Sequence, residues 1–276
     1  SVPSTDYKPA SSLVYHSLGD GHVYVRTDWT DNAVWSSFMS CSCHLGGHAM
    51  RAAGHIAIQR GTDYLLVNAG QWKGTDGVGG MPYAFDLRSK ETNTLWFHNP
   101  WDPDYDGGQG WWGSQTGFTK DYQETPTYVY ARADLSTPYT IQIATGLVSF
   151  LRSFVDLRNG TVVVFDTVKA GDPSLLKKIV WHVPPTGPRT IAGNRFTSIQ
   201  GGSKLTIQTL LPANPALSIQ PDPEYDGSTK TVTYRLEVAT DPGFTNQVFN
   251  QSAIPQDGSG QTSFTLPVAL GPERKY

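Results

Sequence analysis

Residues 44–72 constrain the fold of this chain more than any other stretch. A turn rich in glycine and histidine precedes a short apolar run at 54–58, a tight turn follows at 60–63, and a second apolar run occupies 64–67. Two short apolar runs on either side of a glycine-containing turn predict a β-hairpin. Its entrance loop carries the histidines His44 and His48.

The same pattern of short apolar runs between Gly, Pro, Asn and Asp residues recurs along the 276-residue chain. No stretch has a 3.6-residue periodicity long enough for a major helix. Asn159-Gly160 predicts a two-residue hairpin turn. A glycine- and tryptophan-rich loop is expected at 98–122. The predicted strands lie at 23–26, 33–38, 54–58, 64–67, 92–97, 128–131, 147–157, 161–166, 179–183, 195–199, 205–211 and 232–238, with two more around the turn at 19–21.

The domain organisation has two interpretations. Residues 1–12 are polar and predict a linker or an extended lead-in. Residues 13–276 then form one β-sandwich domain, or 13–215 form the sandwich and 216–276 a partial module similar to fibronectin type III. Because the sequence starts at Ser1 rather than at a methionine, we expect a processed form or a fragment of a longer protein.

Charge and hydropathy exclude two classes of partner. The net charge is -3 and no run of basic residues marks a nucleic-acid-binding surface. No apolar run approaches the ~18–20 residues that a membrane-spanning helix needs.

Cys41 and Cys43 share one face of a predicted strand and cannot easily adopt disulfide geometry. We interpret them as small apolar residues, with a metal-binding pair as the alternative.

The predicted hairpin also carries a family resemblance. HLGGHAMRAAGHIAI followed by GTDYLLVNAG resembles the signature of the heparinase II/III-like C-terminal β-sandwich domain of polysaccharide lyases: H-x-H, an Asp, a G-H strand, G-x-x-L-L and D-x-G. The similarity continues in VYVRTDWTDNAVWSSF, RSFVDLRNGTVVVFD and KLTIQTLLP. It implies an all-β fold, a large antiparallel multi-sheet β-sandwich. It also implies β-elimination of uronic-acid polysaccharides, with further catalytic groups supplied by an α-helical toroid.

The resemblance implies a structural zinc ion, but the ligand positions differ here. The first histidine of H-x-H matches His48, which is present. The three ligand positions fall on Met50, Asn68 and Thr92, and the following Asp falls on Ala52. Zinc prefers Cys, His or carboxylate ligands. We therefore expect no cofactor and no zinc at these positions; a site rearranged around other histidines is the alternative.

The resemblance makes His48 the candidate catalytic residue. Arg51 beside it is a candidate to neutralise a substrate carboxylate, with a solvated side chain as the alternative. Arg152, inside a predicted strand, is expected to be a structural ion-pair or hydrogen-bond partner. Aromatic rings in the predicted loop are candidates for stacking on sugars or for packing. The candidate sugar-contacting residues are Trp101, Trp111 and Trp112.

The same loop contains the sequence D-x-D-x-D-G. Alternate carboxylates on a turning loop can converge on a hard cation, so Asp102, Asp104 and Asp106 are candidate calcium ligands. Gly113 stands where a calcium loop would have its closing acidic residue. An ordinary turn rich in aspartate and glycine is the alternative.

Two functional hypotheses follow. The first is a non-catalytic or incomplete sandwich derived from a polysaccharide lyase, acting as a glycan-binding or extracellular structural domain. The second is the C-terminal half of an active lyase of uronic-acid polysaccharides. A polysaccharide partner is expected in both, and self-association fits a structural role. Both favour an extracellular, cell-surface or periplasmic location. We expect the 276 residues alone to be inactive.

Overall fold

The structure is a computed structural model. It describes Asp6, Lys8 and residues 11–40, 51–68, 89–97, 109, 118–140, 146–220, 233–239 and 247–255. The chain divides into two compact units, Ser1–Ile219 and Gln220–Tyr276. None of the helices among these residues is long and apolar enough to span a membrane.

In the larger unit, the first sheet contains five consecutive strands in chain order. Each strand pairs antiparallel with the next, so the predicted hairpin forms one edge of the sheet. The strands are β1 (Val14–Ser17), β2 (His22–Arg26), β3 (Val34–Met39), β4 (Ile56–Arg60) and β5 (Asp63–Leu66).

The second sheet has the order β10-β9-β8-β7 and is also antiparallel throughout. Its strands are β7 (Phe118–Glu124), β8 (Val129–Asp134), β9 (Leu147–Asp156) and β10 (Val162–Ala170). The turn between β9 and β10 lies at the predicted place but has three residues rather than two, because the Leu157 N–H donates to the Thr161 carbonyl oxygen; Arg158 and Gly160 within it have φ values of 59° and 86°. The only helix longer than one turn in the described residues is α1 (Ser136–Thr140), which has five residues.

The remaining strands form three small antiparallel sheets. β6 (Leu95–Phe97) pairs with β11 (Lys177–Ile179). β12 (Arg189–Ala192), β13 (Arg195–Gln200) and β14 (Ser203–Gln208) form a meander. In the smaller unit, β15 (Thr233–Ala239) pairs with β16 (Gln247–Pro255). The prediction of an all-β, antiparallel multi-sheet fold is confirmed.

The main core lies between the first two sheets. The inward side chains of β2, β3 and β4 pack with those of β8 and β9 in one buried cluster. Phe38 of β3 stacks on Phe154 of β9 with 5.3 Å between ring centroids and 6° between ring planes. Beside them, Ser36 donates a hydrogen bond to the carboxylate of Asp156. These contacts hold the two sheets together as a sandwich.

Three sequence predictions were wrong at particular strands. β7 covers Phe118–Glu124, part of which was expected to be loop. β6 begins at Leu95 rather than at Thr92, because Thr92 donates its N–H and hydroxyl to the Ser89 carbonyl oxygen and closes a turn there. β11 ends at Ile179 rather than at 183, because the N–H of His182 donates to a side chain instead of a neighbouring strand.

The Phe38–Phe154 contact predicts a large loss of stability on truncation. Both side chains are fully buried, so Phe38→Ala should lower the free energy of unfolding by about 3–5 kcal/mol, measured by urea denaturation. Phe165→Ala is the matched control, because this phenylalanine on β10 is 56% exposed and should change stability by less than about 0.5 kcal/mol. Equal losses in the two variants would contradict the packing described.

Candidate functional site

The hairpin's entrance is held by the backbone of Gly54. Its φ of +88° is unfavourable for other residues, and its N–H donates to the Met39 carbonyl oxygen. A Cβ at this position would lie 2.6 Å from Leu135 and 2.8 Å from the Thr94 hydroxyl. Only glycine therefore lets the backbone at this position approach Leu135 and Thr94 so closely.

Arg152 of β9 is the centre of a buried polar network at this point. Its Nε and Nη2 donate to the two carboxylate oxygens of Asp166 on β10, at 2.8 and 2.7 Å. Its Nη1 donates to the backbone carbonyl oxygens of Gly54 at 2.6 Å and Asn93 at 2.7 Å. The side chain is fully buried. The structural role predicted for Arg152 is confirmed.

Asn93 connects the strands around this network. Its side-chain amide nitrogen donates to the carbonyl oxygens of Ile56 at 2.7 Å and Val67 at 2.8 Å. Its amide oxygen accepts a hydrogen bond from the backbone N–H of His182 at 2.6 Å. Both ends of the amide group therefore bond to backbone, next to the backbone hydrogen bond from the Val67 N–H to the His182 carbonyl oxygen.

His55 is a neutral, buried acceptor in the same network. The backbone N–H of Asn93 donates to its Nδ1 at 3.0 Å, which requires the ring proton to be on Nε2. Burial first, then the nearby His182 and Arg152, lowers the pKa of His55 from 6.5 to about 3. The ring is therefore uncharged at neutral pH, as expected for a core histidine.

Gln109 is the residue between 98 and 117 that the structure describes, and it is fully buried. Its side-chain oxygen accepts from the Ala53 N–H at 2.9 Å, and its nitrogen donates to the Ala53 carbonyl oxygen at 2.7 Å. Its backbone N–H donates to the Ser89 hydroxyl. The amide thus pairs with Ala53 as a neighbouring strand would. These hydrogen bonds fix Gln109 at the hairpin entrance.

Two of the three predicted zinc positions lie among the described residues. Thr92 is fully buried, and its hydroxyl lies 2.9 Å from the Ser89 carbonyl oxygen and 3.4 Å from that of Arg51. Asn68 is half-buried and carries a neutral amide. A hydroxyl already donating to backbone and an amide do not fit zinc, which prefers Cys, His or carboxylate. Nowhere in the described ranges do three His, Cys, Asp or Glu side chains cluster as metal ligands would.

Arg51 is buried, with 3% of its surface exposed, so the alternative of a solvated side chain is wrong. Its proposed contact with substrate remains a prediction. The other candidates lie outside the described residues and also remain predictions. They are His48, Met50, Trp101, Trp111, Trp112, Asp102, Asp104 and Asp106.

Sequence reasoning did not find Asn93, Gln109 or Asp166. Asn93 follows Thr92, where the resemblance implies a zinc ligand, and that adjacency was its available signal. Asp166 ends the predicted strand 161–166 on the face that also carries Val162 and Val164, and a carboxylate at such a position signals a buried cation opposite it. Nothing in the sequence around Gln109 distinguishes it from a solvated loop residue.

No family model matches this sequence, and no curated protein matches it. Solved structures do. The heparan sulfate lyase HepC from Pedobacter heparinus superposes with a TM-score of 0.57 at 13% identity, covering 88% of this chain and 33% of that one. The fold of the present chain is therefore heparinase-like. Two structures of heparinase III give TM-scores of 0.56 and 0.51 at 12% and 9% identity.

The likeness to heparinase III covers 82% and 85% of this chain but only 30% and 32% of those proteins. This chain therefore spans about a third of the length of the lyases that it matches. At these identities the comparison establishes the heparinase-like fold and not the chemistry.

Breaking the Arg152 pair should be costly because the change leaves buried partners without their cation. We expect Arg152→Met to lower the free energy of unfolding by about 3 kcal/mol or more. Arg132→Met is the control, because Arg132 pairs with Asp121 at 3.4 Å where the side chains are 39% and 52% exposed. That loss should stay within about 1 kcal/mol by chemical denaturation. A small effect at Arg152 would contradict the network.

His55 should make stability depend on pH. Its folded pKa of about 3 lies below its ordinary 6.5, so the unfolded chain binds the proton more tightly and stability falls as pH drops below 6.5. His55→Asn keeps an acceptor for the Asn93 N–H but cannot titrate. Between pH 7 and pH 5, we expect wild type to lose about 2 kcal/mol more than this variant, measured by urea denaturation. Equal losses would contradict the assignment.

Proposed function

We propose that this chain is a glycan-binding β-sandwich derived from a polysaccharide lyase, and that it does not itself catalyse β-elimination. Its fold matches structures of a heparan sulfate lyase and of heparinase III over most of its length. Those proteins are about three times longer than the matched part. A retained scaffold that still binds glycan agrees with both facts.

The observation that carries the scaffold part of this proposal is the position of Thr92. Where the resemblance implies a zinc-binding histidine, a buried hydroxyl hydrogen-bonds to the Ser89 carbonyl oxygen. Around it, His55 and Asn93 direct their polar atoms to backbone partners. These polar groups around the hairpin therefore stabilise the fold, and among the described residues they do not form an acid–base pair facing solvent.

The alternative function is the C-terminal half of an active lyase of uronic-acid polysaccharides. The 88% coverage of this chain in the match to HepC favours it, because most of the chain has a structural counterpart in an enzyme. In that case His48 would line a cleft completed by an α-helical toroid. β-Elimination needs a base for the C5 proton and an acid for the leaving oxygen, and other parts of the protein would supply the groups missing here.

The proposed glycan partner also determines the proposed location. A polysaccharide of an extracellular matrix or a cell wall meets the protein outside the cytoplasm, so we propose an extracellular, cell-surface or periplasmic protein. Self-association through the sandwich would allow a structural or assembly role on such a polymer.

The two functions differ in their product. We expect the purified 276-residue chain to release no unsaturated uronate from heparan sulfate or alginate. The measurement is the ultraviolet absorbance of the C4–C5 double bond in the product. The same polysaccharides should retard the protein in affinity electrophoresis when they are included in the gel. Product formation that is lost in His48→Ala would instead support the active lyase.

A further inference from the structure

The outward face of the first sheet is unusually aromatic. Strand alternation directs valine, phenylalanine and isoleucine side chains of this sheet into the core and leaves four aromatic rings on the other side. They are Tyr15, Tyr24, Trp35 and Tyr64, which are 64%, 39%, 39% and 61% exposed. We call these four residues, together with Arg26, the aromatic face.

Strand register arranges the aromatic face in two rows across the sheet. In one row, Tyr15 of β1 lies opposite Tyr24 of β2, with 6.4 Å between ring centroids and 29° between ring planes. In the other, Trp35 of β3 lies opposite Gln59 of β4, which lies opposite Tyr64 of β5. Together the two rows reach from the edge strand β1 to the edge strand β5, roughly 19 Å at the usual spacing between strands.

A cation is fixed within this face. Arg26 of β2 lies opposite Trp35 in the register. Its guanidinium carbon is 4.0 Å from the ring centroid of Trp35 and 4.1 Å from that of Trp29, so the cation is held by two aromatic rings. Its Nε–H donates to the Asp28 carbonyl oxygen. This is one of five N–H donors of a guanidinium, which suits it to bind an anionic oxygen with the others.

The chemistry of this face fits a sugar polymer. A pyranose ring has apolar C–H faces that stack on aromatic rings and hydroxyl edges that need hydrogen-bonding partners. Ser37 continues the first row after Tyr24, and Gln59 separates the two rings of the second, so each row has a polar group beside its aromatic rings. Along the outward positions of β1–β5 in these two rows, Arg26 is the charged side chain. A polymer that carries carboxylate or sulfate groups would match it.

We propose that the aromatic face is a binding platform for an acidic polysaccharide, distinct from the hairpin positions that the resemblance highlights. Sugar rings stack on Trp35 and Tyr64 and on the Tyr15–Tyr24 pair, and Arg26 binds a carboxylate or sulfate oxygen. The proposal rests on the proposed glycan-binding function and assigns it to a surface.

The test measures binding of the 276-residue protein to alginate, heparan sulfate and neutral dextran by affinity electrophoresis and isothermal titration calorimetry. Tyr64→Ala and Trp35→Ala should each weaken binding to acidic polysaccharide about tenfold, the effect of a contact worth about 1.4 kcal/mol. Trp35→Phe should restore part of the loss. Phe165→Ala, at an exposed aromatic residue of the second sheet, should bind like wild type.

The charge is tested separately. Arg26→Gln should weaken binding to acidic polysaccharides and reduce its salt dependence, whereas Arg195→Gln at an exposed position of β13 should change neither. Binding to alginate as well as heparan sulfate supports carboxylate recognition, and binding to heparan sulfate alone supports sulfate recognition. Equal binding of dextran, together with no effect of Arg26→Gln, would overturn the acidic part of the proposal.

The remaining outcomes separate the two proposals. If wild type binds a polysaccharide but Tyr64→Ala and Trp35→Ala bind it equally well, the platform is wrong and the glycan-binding function stands. If wild type binds none of the three polysaccharides, both are wrong. Thermal unfolding of every variant shows whether a loss of binding comes from a loss of fold. Of the variants at the aromatic rings, we expect Tyr64→Ala to lose little stability, because Tyr64 is 61% exposed.

Discussion

The buried positive charge of Arg152 is the constraint on which the centre of this protein depends. A guanidinium inside a protein is tolerated only when a carboxylate and further acceptors surround it. Here Asp166 supplies the carboxylate, and the carbonyl oxygens of Gly54 and Asn93 complete the set. One side chain therefore ties the long hairpin β9–β10 to the loops that precede β4 and β6, and it fixes where those loops lie.

The consequence is a division between the two sides of the first sheet. On the inner side, Arg152, Asn93 and Gln109 satisfy backbone groups where regular strand pairing is interrupted. These polar atoms are committed to structure, because a buried polar group that loses its partner costs more than a typical hydrogen bond contributes. On the outer side, Trp35 and Tyr64 are 39% and 61% exposed, and it is there that we propose a ligand stacks.

The sequence predicted the strands whose two faces differ most. β3, β4 and β9 have inward apolar residues at alternate positions, and the structure contains all three near their predicted bounds. It did not predict β7, β12 or β16. β7 and β12 lie at sheet edges and are rich in polar residues, so hydrophobic alternation is weak there. β16 has polar and apolar residues without strict alternation, and its pairing with β15 has two register shifts.

The sequence by itself determined the all-β class and the place of the turn at Gly160, because each follows from residue type and local spacing. Only the tertiary structure decided which polar residues meet. Arg152 and Gly54 are 98 positions apart, and no local pattern encodes their contact. The same holds for the aromatic face, because strand register, and not sequence spacing, places Trp35 beside Arg26 on neighbouring strands.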